Sequence, residues 1–366
     1  MQFIEMPDLK AGMRLARPIY NKRGVLLYER DSKLSAQTIE SVKGFGLLGM
    51  YILDPSEPLP PMSEEDEEFE RFQTMTVCTL QEELDNILKS KKQSKLQTIV
   101  STVVKKYGHL NIKVNFNQNL RSKDDYVCSH SLNTAILCAM ITHVMNIRVD
   151  EQFQTVEAAV LHDLGKEQLP KEVLFKQDVT EEDNERIYRG QLEALDILDN
   201  FSEGPGVKRI CMQALRAQYE FTVNGKVSSN DKMTLGAKIL IVANRYDELT
   251  AMDLKGKAES EVKALQEFYD HPGLYDPKVV NALIQSIHIL FAGVGVELNT
   301  GEKALVLTEN QQDILRPAVL CFKDNVIIDL SLRGNADIKI VDIIKTLDNR
   351  YVMDSDLLGM VMSEQK

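Results

Sequence analysis

The stretch VEAAVLHDLGKEQLPKEVL, Val156 to Leu174, holds the residues best suited to chemistry. An apolar run of helical character ends in the adjacent pair His162-Asp163, and a turn follows at Gly165-Lys166. Imidazole nitrogen and carboxylate oxygen presented together at a helix end suit one divalent first-row cation. Lys166 then stands where a bound phosphate would lie. The competing reading makes His162 a core histidine, Asp163 a carboxylate near a helix C-terminus and Lys166 a solvated turn lysine, because two-residue motifs recur by chance.

Partners for the pair are few, since the chain has only six histidines. His130 opens a strongly apolar run, His130 to Val144, and Asn244 follows another, in LGAKILIVANRYDELT. Metal sites in helical bundles draw ligands inward from facing helices. The candidate metal ligands are therefore His130, His162, Asp163 and Asn244, with Asp163 and Lys166 as the candidate catalytic pair. Such a donor set would take a divalent metal, Mn, Fe or Mg, as its cofactor. Lys166, Arg189, Arg216 and Arg245 are the candidate ligand-binding residues, since cations of this kind match phosphate; on helices such arginines are otherwise surface charges. Asp247 reads as a cap or a salt-bridge partner within its helix. His109, His143, His271 and His288 read as surface or packing residues.

Periodicity shows the elements that must position these groups. Residues 1–54 read as a small β-rich module: strand, Gly24 turn and strand over Ile19 to Leu27, a helix from Ala36 to Lys43 capped by Ser35, and a strand from Met50 to Leu53. Residues 55–68 carry four prolines including Pro55 and then a run of acids, which reads as an extended linker or as acids capping the next helix. Residues 69–290 are helical throughout, with a break at FSEGPG and a last helix from Pro277 to about Leu290. Residues 291–366 return to β character, with strands around a Thr300-Gly301 turn, two more around Lys323-Asp324-Asn325, and a short helix or tail from Asp342 to Leu347. The expected fold class is mainly α: a helical bundle flanked by β-rich modules.

A net charge of −12 argues against a nucleic-acid polymer as partner, yet leaves room for a local basic pocket. The five cysteines show no paired spacing, as expected of buried thiols in a reducing compartment. No uninterrupted apolar run reaches about 18 residues, and the N-terminus lacks the layout of a signal peptide. A cytoplasmic location is expected.

The blocks DDYVCSHSLNTAIL, AAVLHDLGKEQLPKEVLFK and AKILIVANRYDELTA resemble the HD-GYP branch of the HD superfamily, over roughly residues 100–290. Gly12 to Ile19 resembles, over a shorter span, a module often found ahead of that domain. The resemblance implies an all-helical, metal-dependent phosphodiesterase acting on cyclic di-GMP in bacterial signalling. It matches the family's histidine to His130, its dyad to His162-Asp163 and its lysine to Lys166. Its next histidine falls on Gly190, its metal-binding aspartate on Asn244, and its Gly-Tyr-Pro segment is absent from Arg216 to Lys226. No histidine lies between His162 and His271. A dinuclear hydrolase needs ligands for two cations about 3.5–4 Å apart. The expectation is a degenerate member, a cyclic-dinucleotide binding or protein-interaction module with reduced or no hydrolysis. The alternative is a metal-dependent phosphodiesterase using the residual site.

Overall fold

The computed structural model describes residues 2–53, 62–118, 120–176, 178–201, 204–225, 232–251 and 258–344. The N-terminal module opens with strands β1 (Gln2–Glu5), β2 (Arg14–Leu15), β3 (Ile19–Tyr20) and β4 (Leu26–Tyr28). Helix α1 (Ala36–Lys43) and strand β5 (Gly49–Leu53) complete it. β1, β5 and β2 form an antiparallel sheet in that order, and β3-β4 is a separate hairpin. Ser35 Oγ accepts from the Thr38 N–H, as expected of that cap. Leu15, Ile19, Val42, Met50 and Ile52 give the module its own core.

Helix α2 (Glu64–Ser90) corrects the reading of residues 55–68 as linker. Ser63 and Asp66 close a capping box, and Glu64, Glu65, Asp66 and Glu67 fill the first turn. Negative side chains are favourable there because the helix dipole presents positive charge. The proline-rich part, residues 54–61, lies outside the described residues.

Helices α3 (Leu96–Tyr107), α4 (Tyr126–Val144) and α5 (Val149–Leu161) follow, then a 3-10 turn (Leu164–Gln168) and the short α6 (Lys171–Leu174). α7 (Glu181–Leu195), α8 (Gly204–Asn224), α9 (Leu235–Thr250), α10 (Glu261–Asp270) and α11 (Pro277–Ser286) complete the bundle. Every residue of α4 from Val127 to Thr142 is buried, because α2, α3, α5, α9 and α11 surround it. This helix is long and apolar enough to cross a membrane, yet 89% of its apolar window is buried inside the bundle. α8 begins within the FSEGPG segment expected to break the chain. α11 stops before Leu290, because Ile287 leaves the helix to form a parallel bridge with Val114.

The C-terminal module is a five-stranded antiparallel sheet in the order β10-β6-β7-β8-β9. Its strands are β6 (Gly295–Leu298), β7 (Lys303–Thr308), β8 (Ala318–Cys321), β9 (Ile327–Asp329) and β10 (Ile340–Ile343). The helix or tail expected from Asp342 is instead strand at its start: Asp342 pairs with Glu297, and Ile340 is buried opposite Leu298. Val296, Leu298, Val306 and Ile340 join the same apolar core as the helical bundle.

Candidate metal centre

Four side chains converge where α4, α5 and α9 meet. His130 lies in the second turn of α4, His162 caps the C-terminus of α5, Asp163 opens the 3-10 turn, and Asn244 sits inside α9. All four are at least nine-tenths buried. Asn244 Oδ1 is 2.7 Å from Nε2 of His130 and 2.7 Å from Nε2 of His162. The two Nε2 atoms are 3.3 Å apart, and each is 3.6 Å from Asp163 Oδ2.

The outer ring nitrogens fix what the inner ones can do. His162 Nδ1 donates to the Ala159 carbonyl at 2.7 Å, and His130 Nδ1 donates to Asp247 Oδ2 at 2.6 Å. Both acceptors can only accept, so in the neutral rings both Nε2 atoms face inward as lone pairs. Two imidazole lone pairs, an amide oxygen and a carboxylate oxygen then aim at one point. A divalent cation satisfies that donor set. A proton on His130 is another source of positive charge there: burial lowers its pKa, but Asp247 and Asp163 outweigh burial and raise it. His162 is shifted the other way, chiefly by burial. With its amide turned over, Asn244 would donate to both imidazoles and close a hydrogen-bonded trio without a cation.

The residues present fit a cation held by His130, His162, Asp163 and Asn244, and both oxygens of Asp163 are also hydrogen-bonded. Asp163 Oδ1 accepts from Gln191 Nε2 at 2.6 Å, and Lys166 Nζ donates to Oδ2 at 2.7 Å. Burial raises the Asp163 pKa, but His162, Lys166 and His130 overcome this and hold the carboxyl well below the usual carboxylate range. Each oxygen keeps a further lone pair, so these hydrogen bonds position the carboxylate without closing it to a cation. Among the described residues, His130, His162 and Asp163 are the one group of three or more His, Cys, Asp or Glu side chains that could hold a metal.

Gly165 explains how Gln191 reaches the dyad. A Cβ there would lie 2.5 Å from Gln191 Cα and 2.7 Å from the Gly190 carbonyl, so glycine lets the 3-10 turn press against the backbone of α7. The family's next histidine was expected on Gly190; the side chain that meets Asp163 comes from the neighbouring Gln191.

Around this centre lies a buried polar network that sequence reasoning missed. Asp247 is no cap within its helix: it takes two hydrogen bonds from Arg121 NH2, at 2.8 and 2.7 Å, and one from Asn133 at 2.9 Å. Gln118 Oε1 accepts from Arg121 and Asn133. A carboxylate behind a ligating histidine fixes its ring and raises its basicity. Asp247 and Asn133 each lie three residues beyond a candidate ligand on the same helix, a spacing that places side chains on one face. Arg121 sits in an irregular segment and carries no comparable signal.

The candidate phosphate contacts divide. Lys166 is at the centre and a quarter exposed. Arg189 is exposed and pairs with Glu185 one turn earlier, and Arg216 is exposed on α8. Arg245 is held by Glu267 at 2.7 and 3.0 Å and by Glu248 at 3.3 Å. None of the three arginines joins the cluster. Burial raises the pKa of Glu248, the partner of Arg245, but Lys166, Arg245 and His130 outweigh burial and lower it.

Residues 87–279 match the family model of the HD domain, a span that contains all four candidate ligands. The chain belongs to the HD-domain family. The blocks around His130, His162 and Asn244 place it in the HD-GYP branch of that family. This HD-domain chain is 23% identical over 228 residues to a cyclic di-GMP phosphodiesterase of Pseudomonas aeruginosa, covering 60% of this chain and 55% of the relative. It thus spans about half the length of that relative. Among solved structures it is similar to an HDG"Y"P protein from Bdellovibrio bacteriovorus, with a TM-score of 0.45 and 16% identity, over 77% of this chain and 97% of that one.

Proposed function

We propose that this chain acts in bacterial cyclic-dinucleotide signalling as an HD-domain protein with a single-cation centre. In this reading it holds one divalent metal on His130, His162, Asp163 and Asn244 and binds cyclic di-GMP there, with hydrolysis reduced or lost. The observation that carries this reading is the hydrogen bond from Gln191 Nε2 to Asp163 Oδ1 at 2.6 Å. The group beside that carboxylate oxygen is thus an amide, a weaker metal ligand than a histidine or a carboxylate.

When bound, the cation supplies a Lewis-acidic contact for a phosphate oxygen. Lys166 adds an ammonium from the exposed side of the centre. Asp247 holds the His130 ring so that Nε2 faces inward, and Gln191 holds Asp163 in place. The protein would work in the cytoplasm and pass its bound state to a protein partner.

Elemental analysis after reconstitution with Mn, Fe or Mg, paired with a cyclic di-GMP cleavage assay, tests this. One bound equivalent with little or no turnover is expected. Two equivalents with sustained turnover would overturn it, and an absence of metal would favour the turned-over Asn244 amide and the hydrogen-bonded trio. A second reading, residual phosphodiesterase activity with Asp163 and Lys166 as catalytic residues, is favoured by the convergence of all four ligands. It requires metal-dependent turnover that disappears in Asp163→Ala.

A further inference from the structure

A cavity of about 650 Å³ lies between the N-terminal module and the helical domain, within the range of roughly 300–1,000 Å³ typical of small-molecule sites. α2 forms one wall, and residues 17–23 and 43–47 of the module face it. None of His130, His162, Asp163 and Asn244 lines it. The β3-β4 hairpin approaches α2 closely at Gly24, where φ is +72° and a Cβ would lie 2.5 Å from Met75 Sδ.

Glu70 lies in the wall, only 7% exposed, and its Oε1 has no hydrogen-bond partner. Arg17 Nε is 3.6 Å away, while its two terminal nitrogens are engaged by Gln118 O and Asn117 Oδ1. Burial pushes the Glu70 pKa up to about 7. A buried carboxylate oxygen without a donor is an acceptor that a ligand can satisfy. Lys22 and Arg23 are exposed on the hairpin and line the cavity, as do Asp124 and Asp125, and Asp124 feels the charge of Lys22. Leu47 and Val77 supply apolar lining.

We propose that this cavity is a second ligand site, separate from the metal centre, for a small anion that carries an N–H donor edge, the chemistry of a guanine nucleotide. The ring N–H and amino group would donate to Glu70, and the phosphate would meet Lys22 and Arg23. Adenine offers an acceptor at the equivalent ring nitrogen, which would oppose the carboxylate. This site goes beyond the proposed function and does not depend on it.

Cys78 provides a local reporter. It lines the cavity and is part-exposed, whereas Cys128, Cys138, Cys211 and Cys321 are buried. Alkylation of Cys78 by iodoacetamide in the full chain is expected to slow roughly tenfold with GMP at about ten times its Kd. Guanosine should protect more weakly and AMP not at all. Glu70→Gln should abolish protection by GMP. The double substitution Lys22→Ala and Arg23→Ala should reduce GMP to the level of guanosine and remove its salt dependence. Isothermal titration with the same three ligands should give the same ranking, and it decides the matter if Cys78 reacts too slowly to follow. AMP binding as well as GMP, or full binding by folded Glu70→Gln, would overturn recognition through the donor edge. Failure of all three ligands at millimolar concentration in both assays would overturn the site itself.

Discussion

At the scale of single residues, the chemistry turns on Asn244 and Gln191. In the proposed centre Asn244 supplies an oxygen without charge, so Asn244→Asp would add an anion against the cation. Metal affinity should rise by about tenfold or more, equivalent to ~1.4 kcal/mol, as read by competition with a chromophoric chelator. Adding Gln191→His to Asn244→Asp should raise the bound metal above one equivalent; a stoichiometry unchanged at one would show that Gln191 is not what excludes the second cation. Glu70 carries a pH signature. Its folded pKa of about 7 exceeds the ordinary value of 4.5, mainly because it is buried. Between those values the native state holds a proton that the unfolded chain has released, so stability falls as pH rises and the loss is complete above about 7. Glu70→Gln lacks this titration. Its unfolding free energy relative to the parent should therefore increase from pH 5 to pH 8 by on the order of 3 kcal/mol, measured by urea denaturation at the two pH values.

At the scale of elements, the centre depends on two close approaches. The turn after α5 meets α7 at Gly165, where a methyl group would strike the Gln191 backbone. Gly165→Ala should cost roughly 1–3 kcal/mol, as overpacking does, and should loosen the Gln191–Asp163 contact. Unchanged stability in chemical denaturation would count against this account. The second approach joins the segment before α4 to α9 through the buried Arg121–Asp247 pair at 2.7 Å. Removing one member of a buried pair leaves the other charge uncompensated, so Arg121→Met should destabilise by about 3–5 kcal/mol. Because Asp247 orients His130, metal affinity should also fall by roughly 10–100-fold. Much of this scale was legible. Ser35 as a cap, α1 from Ala36 to Lys43 and α9 from Leu235 to Thr250 follow from local patterns, and each is present as expected. The ends that moved, at Glu64 and Ser286, are where capping or a tertiary bridge decides the boundary.

At the scale of the whole molecule, the N-terminal module is tied into the polar network behind the centre. Arg17 donates to Gln118 O, Leu48 N–H donates to the Arg121 carbonyl, and Gln118 accepts from Arg121. Arg17 also lies over the Tyr51 ring at 4.2 Å. Arg17→Ala should therefore speed hydrogen exchange in both the module and the segment around Arg121, while the α10–α11 region keeps its protection. Exchange changes confined to the module would argue that the two parts are not energetically joined. The C-terminal sheet is joined differently, through shared apolar core rather than polar contacts alone.

The sequence by itself determined the helical bundle with its β-rich flanks and named His130, His162, Asp163 and Asn244 as one candidate site, and these four side chains converge. Apolar periodicity and local motifs are short-range signals that survive without coordinates. It could not supply Gln191 against Asp163, Asp247 behind His130, or the burial of Arg121. Each depends on where helices distant in sequence come into contact, and one residue of shift on α7 exchanges Gly190 for Gln191. The arginines show the same limit: their charge suggested phosphate, but tertiary packing left Arg189 and Arg216 exposed and gave Arg245 to Glu267. Side-chain type sets which chemistry is available, and only packing selects which groups meet.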